Sequence, residues 1–286
     1  MGSWQRSKQL ASASWSVLRQ DKELMVLPLI SGMASLAIAA TFLVPIYLSS
    51  QQTDVTGSTT TSFGPVQYVG MFLMYVVLAY ITIFFRTAIL CGADERMKGG
   101  SPSISSALAG AGSHAGKILP WAIVSATVSV ILRGVEQRAG FVGRIVIGLI
   151  GMAWTVVTFL VLPILVFEGV GVTDAVKRSA QMLKHTWGEN LIVNGGIGLF
   201  GLLLMLPAFV LIGLGVATGA GPAIAVTVGI AAVWIIAISC WTNAMSSVFQ
   251  LALYRYATDG QAPAAFAGAD LGGAFRQKGS GRGFGG

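Results

Sequence analysis

Charge is what this 286-residue sequence has least of. Its 18 Lys and Arg and 11 Asp and Glu make up 10% of the chain, against roughly 25% in soluble globular domains. So few charges cannot dress a surface that meets water on all sides, which excludes an ordinary soluble fold. Cysteine is nearly absent too. Cys91 and Cys240 sit in or beside apolar runs and leave no disulfide framework or metal knuckle. His114 and His185 are far from any Cys pair, so no zinc motif forms. No phosphate loop ending in Lys-Ser/Thr and no Gly-x-Ser-x-Gly elbow occurs. The adjacent acidic pair Asp94-Glu95, with Arg96 and Lys98 beside it, reads as a solvated cluster at a helix end. The expectation is a non-enzymatic protein with no catalytic residue, no metal and no cofactor.

Hydrocarbon fills the space that charge leaves. Hydrophobic residues make up 54%, the 37 glycines bring the total to about two thirds, and mean hydropathy is +0.75. Crossing about 30 Å of hydrocarbon takes around 20 residues. Six runs approach or exceed that length: 24–49, 67–91, 118–132, 145–167, 191–216 and 223–252, the third being the shortest. The first is too long for a signal peptide and follows a polar segment. The predicted fold class is all-α, a polytopic transmembrane helical bundle of six spans arranged as three hairpins.

Orientation follows from the basic residues. All 18 except Arg133, Arg138 and Arg144 fall on the side that holds the two termini. The positive-inside rule then places both termini in the cytoplasm and the protein in the inner membrane of a prokaryote. On the same grounds the net charge of +7 serves topology and contact with an anionic leaflet, with no nucleic-acid partner. On the opposite side, residues 51–65 form a Ser/Thr/Gly-rich run read as an exposed loop, and 218–222 a tight hairpin.

Three segments on the basic side have helical periodicity, at about 3–22, 102–117 and 171–190. In the last, Val176, Ala180, Leu183 and Trp187 share one face while Lys177, Gln181 and Lys184 form another. Such helices either lie in the headgroup plane or connect spans beneath the bundle. A Ser-Ala pair recurs at Ser12-Ala13, Ser106-Ala107 and Ser179-Ala180, each twelve residues before a span junction, which hints at a threefold repeat. Residues 1–257 form the membrane domain. Residues 258–286 are a Gly-rich basic tail with Phe266, Phe275 and Phe284 at even intervals, a composition typical of disorder. Trp15, Arg19, Lys177, Arg178, Lys184, Trp187, Arg276 and Lys278 are the candidate contacts to membrane lipids or to a protein partner, a second copy included.

The run Glu168-Gly-Val-Gly-Val-Thr-Asp-Ala-Val-Lys-Arg-Ser-Ala-Gln-Met-Leu-Lys-His-Thr-Trp-Gly-Glu-Asn-Leu191 resembles the signature of a prokaryotic family of six-span membrane proteins of unknown function. Ser14 to Leu29 is similar to that family's start and Gly273 to Lys278 to its end, so the resemblance spans essentially the whole chain. A looser similarity runs to the membrane region attached to some bacterial glycerophosphodiester phosphodiesterases. Neither resemblance implies a catalytic residue; both imply fold and location.

Within the spans, polar residues are few. Arg86 is the deepest charge, read as snorkelling outward or pairing with Glu168. Asn194 and Asn243 are amides suited to interhelical hydrogen bonds or to a substrate path. Pro45, Pro163 and Pro207 are read as helix kinks. The leading functional expectation is a membrane module that organises lipid or a partner protein at the inner leaflet. The alternative is a transporter or channel for a small or lipophilic solute, which requires a polar cavity reaching Asn194, Asn243 or a proline-broken helix.

Overall fold

At membrane depth a backbone must satisfy its own N–H and C=O groups, and for a run of Leu, Ile, Val and Ala the helix does so locally. The computed structural model describes residues 22–53, 59–61, 63–187 and 195–260. Among them, five helical segments are long and apolar enough to cross a membrane: Glu23–Ser50, Pro65–Met97, Ala115–Arg138, Phe141–Phe167 and Gly221–Asp259. This is the architecture of a multi-pass, all-α membrane protein.

A 3-10 turn, Lys22–Met25, leads into α1 (Leu27–Ser50). Then follow α2 (Pro65–Met97), α3 (Ile104–Ser113), α4 (Ala115–Arg138), α5 (Phe141–Val157) and α6 (Val161–Phe167). The remaining helices are α7 (Val172–Trp187), α8 (Gly195–Ala217) and α9 (Gly221–Asp259). Helix α8 answers to the fifth apolar run, of which Leu203–Ala217 is described as a shorter apolar helix. The weak third run extends at both ends into the 24 residues of α4.

The segment read as an exposed loop is partly folded. Strands β1 (Gln51–Thr53) and β2 (Thr59–Thr61) pair antiparallel, with Gln51 opposite Thr61. The threonines favour this pleat. At the foot of the ribbon, Gln67 Nε2 donates to Ser49 O at 3.1 Å and its Oε1 accepts from Gly64 N at 3.0 Å. That one amide ties the end of α1 to the start of α2.

Buried apolar contact gathers at one end of the bundle, where Asp94 lies. Ile89 and Leu90 of α2, Ile118 of α4, Ile164 and Leu165 of α6, and Leu251 of α9 are almost fully inaccessible there. Towards the other end large apolar side chains face outward, among them Tyr47, Phe141, Val142 and Val210. A surface of this kind is stable against acyl chains and not against water.

Helices α3 and α7 occupy the predicted amphipathic segments in shortened form, and both turn their apolar faces into the bundle. Ala107 and Ala111 of α3, and Ala175, Ser179 and Leu183 of α7, are buried. They pack beneath the bundle as connectors. Ser103 caps α3, accepting from Ser106 N at 3.0 Å, and a turn at His114 separates α3 from α4. Gly110 permits the close approach of α3 to α2, since a Cβ there would lie 2.8 Å from Cys91 Cβ. The Ser-Ala pairs do not occupy equivalent places: Ala107 is buried and Ser106 half-buried, whereas Ser179 is buried and Ala180 half-buried. Ser12-Ala13 and segment 3–21 lie outside the described residues.

Candidate functional site

The fourth apolar run does not form one helix. Pro163 has no N–H for the carbonyl of Phe159, and its ring crowds that carbonyl. Helix α5 stops at Val157, three residues form a turn, and α6 starts at Val161. Pro163 therefore accompanies a break rather than the predicted kink. Side chains from elsewhere supply the missing hydrogen bonds. Gln250 Nε2 of α9 donates to Phe159 O. Ser179 Oγ of α7 accepts from Leu160 N at 3.2 Å and donates to Val157 O at 2.6 Å. Irregular backbone at membrane depth is tolerated where protein groups complete it in this way, or where it lines a cavity.

Here it does both. A half-open cavity of about 460 Å³ lies between α2, α4, the α5–α6 break and α9. Thr155, Thr158 and Phe159 contribute from the break, and Ser246, Ser247 and Gln250 from α9. Trp121 and Ser125 line it from α4, and Tyr75, Thr82 and Arg86 from α2. From Tyr75 to Arg86 the cavity runs about 16 Å along α2. Most of its hydroxyls have already spent their hydrogens on the preceding turn: Thr82 on Leu78 O, Thr155 on Gly151 O, Thr158 on Trp154 O, Ser247 on Asn243 O. They offer the cavity lone pairs and no donors.

Among the described residues, Arg86 is the one charge on the wall. It lies deep in the bundle, yet its side chain is exposed, because the cavity opens onto it. Its Nη2 donates to Asn243 Oδ1 at 2.7 Å, while Asn243 Nδ2 donates back to Ser239 O at 2.9 Å. Asn243 thus joins α9 to α2, the interhelical role foreseen for it. Of the two readings of Arg86, the pairing with Glu168 does not hold: Glu168 binds Arg178 Nε at 2.5 Å and accepts from Tyr254 OH at 3.3 Å. Among the described residues no carboxylate forms an ion pair with Arg86.

Beyond the cavity, ionic contacts close the Asp94 end of the bundle. The Asp94 side chain is only 8% exposed, and it is held by Lys98 Nζ at 2.7 Å and by the guanidinium of Arg255. Arg255 also stands 5.7 Å over the Phe167 ring, which stacks on Tyr254. This corrects the reading of Asp94-Glu95 as a solvated pair. Asp94 is a buried tie between α2 and α9, and Glu95 accepts from Ser106 Oγ at 2.8 Å. The sequence signal was the spacing of Asp94 and Lys98 at i, i+4; nothing local pointed to Arg255, 161 residues away.

The remaining candidates fall apart in space or outside view. Lys177 is exposed on α7, and Arg178 is taken up by Glu168. Trp15, Arg19, Asn194, Arg276 and Lys278, and the side chains of Lys184 and Trp187, lie outside the described residues. Ser179 and Gln250 were not singled out as site residues, since a serine on an amphipathic helix and a glutamine at a span's end carry no local mark of a role.

No curated protein and no solved structure matches the chain. Residues 65–264, from the first turn of α2 to just past the end of α9, match the model of a family of unknown function, DUF6159. The N-terminal and C-terminal similarities at 14–29 and 273–278 lie outside that match. With well over half of its length so matched, the chain belongs to the DUF6159 family.

Proposed function

We propose that this protein is a non-enzymatic integral membrane protein that holds one lipid or lipophilic molecule inside its bundle. In this reading it has six spans in three hairpins, with α8 as the fifth span and both termini in the cytoplasm of a prokaryotic cell. The observation that carries the reading is the half-open cavity beside the α5–α6 break, whose wall joins apolar side chains such as Leu78, Ala79, Trp121 and Leu162 to hydroxyls, the Gln250 amide and Arg86. Its volume falls in the range typical of ligand pockets, roughly 300–1,000 Å³. Among the described residues the wall carries no carboxylate, histidine or cysteine, which supports binding over acid–base or nucleophilic catalysis. The buried apolar faces of α3 and α7 move the weight away from headgroup-plane helices and towards the cavity.

Native mass spectrometry of protein extracted gently from its own membrane tests this reading. The expected result is a reproducible small-molecule adduct on the 29.8 kDa chain, lost when Ala79, which lines the cavity from α2, is replaced in Ala79→Trp to fill it. An adduct unchanged by that substitution removes the cavity from the account. Transport is the second reading, favoured by the discontinuous helix at the cavity, a device that carriers use to build midplane sites. Its test is solute flux into liposomes, with Ala79→Trp as the blocked control.

A further inference from the structure

We infer that the cavity selects an amphipathic oxyanion, a carboxylate or phosphate attached to an apolar tail, and that Arg86 is the group that recognises it. The inference rests on the cavity being a ligand site, as proposed above, and adds the chemical class of the ligand.

Three observations lead there. First, a guanidinium has five N–H donors, and Asn243 Oδ1 takes one of them. The remaining donors form a planar fork suited to two oxygens of one carboxylate or phosphate. Second, among the described residues no ion pair to Arg86 exists and no acidic side chain lines the wall to repel an anion. A charge kept at membrane depth faces a partner or a water-filled cavity and marks a functional path. Third, most of the wall's hydroxyls, those of Thr82, Thr155, Thr158 and Ser247 among them, have turned their hydrogens to their own helices, so the charged recognition of a negative group falls to Arg86. Leu78, Trp121, Phe159 and Leu162 then offer the apolar surface for a tail.

The test compares probes that differ only in charge. Full-length protein in uncharged detergent is titrated with a long-chain fatty acid, the matching fatty alcohol, phosphatidate and inorganic phosphate, at a pH where the acid is ionised. The wild-type protein is expected to prefer the acid over the alcohol by about ten- to a hundredfold, the range of a charge-assisted hydrogen bond. In Arg86→Gln that preference disappears while alcohol binding persists, and Arg86→Lys keeps a part of it. The acid–alcohol comparison needs no variant, so it stands even where a substitution unfolds the chain. Equal binding of acid and alcohol, both blocked by Ala79→Trp, overturns the oxyanion inference and leaves the cavity reading intact. No binding of any probe overturns both. Phosphatidate bound far more tightly than inorganic phosphate assigns the oxyanion to a lipid. Inorganic phosphate bound as tightly as phosphatidate, with loss in Arg86→Gln, supports the oxyanion site and overturns the tail.

Discussion

At the scale of single residues, two charged groups sit in similar positions and are treated in opposite ways. Asp94 is buried and met by Lys98 and Arg255, so it acts as a tie between helices. Removing one partner of a buried pair costs about 3–5 kcal/mol, and because Arg255 keeps 27% of its side chain exposed the cost here is nearer ~2 kcal/mol. Arg255→Gln is therefore expected to lower the melting temperature by several degrees, and far less in an Asp94→Asn background. Equal drops in both backgrounds sink the assignment of the pair. Arg86 behaves otherwise. An arginine at membrane depth costs about 2.5–3.5 kcal/mol on insertion scales, and Asn243 returns only a neutral-acceptor hydrogen bond. Replacing both by apolar groups removes a polar pair from the bundle without orphaning either member. Arg86→Leu combined with Asn243→Leu is thus expected to hold or raise the melting temperature in uncharged detergent, a marked fall showing that the pair is structural glue instead. The residue types themselves were plain in the sequence. What stayed hidden was which side chain each arginine meets, because the partners stand 157 and 161 positions apart.

At the scale of elements, length and apolar content made the helices legible and left the break invisible. A proline in an apolar run reads alike whether the helix kinks or stops, and the outcome depends on who satisfies the freed groups. Here Ser179 comes from 19 residues further on and Gln250 from 91. Neither distance has a periodic signature. The same holds for the cavity, whose wall is drawn from four separate stretches with no motif in any of them. The break carries its own test. Gln250→Leu removes the donor at Phe159 O and is expected to cost about 1–3 kcal/mol. Pro163→Ala supplies an N–H four residues after Phe159, which gives the carbonyl a local partner. In that background Gln250→Leu is expected to cost less than half as much in thermal or chemical unfolding. Undiminished loss in the double variant refutes the view that Gln250 stands in for the proline's missing hydrogen.

For the whole molecule, the arrangement has a tight end and a loose end, and the sequence encodes that difference through charge. The buried core and the ion pairs of Asp94, Glu168 and Arg255 gather where α2, α6, α7 and α9 meet, and 15 of the 18 basic residues fall towards that side of the chain's predicted path. At the other end stand the β1–β2 ribbon and the short turn between α8 and α9, and Gln51 to Pro65 contains no Lys or Arg. Positive residues resist translocation, so the proposed orientation takes the tight end as the cytoplasmic one, with the ribbon outside and Arg86 nearer the inner leaflet. Paired cysteine reporters decide this in a Cys91→Ala, Cys240→Ser background, which removes the two native thiols. Thr60→Cys in β2 is expected to react with a membrane-impermeant maleimide in intact spheroplasts. Ser280→Cys in the tail is expected to react only after permeabilisation. The opposite pattern inverts the molecule and sends the mouth of the Arg86 cavity towards the outer leaflet. Labelling of both sites in intact spheroplasts leaves the two positions on one face, which is incompatible with six spans and requires an odd number of crossings between them to become even.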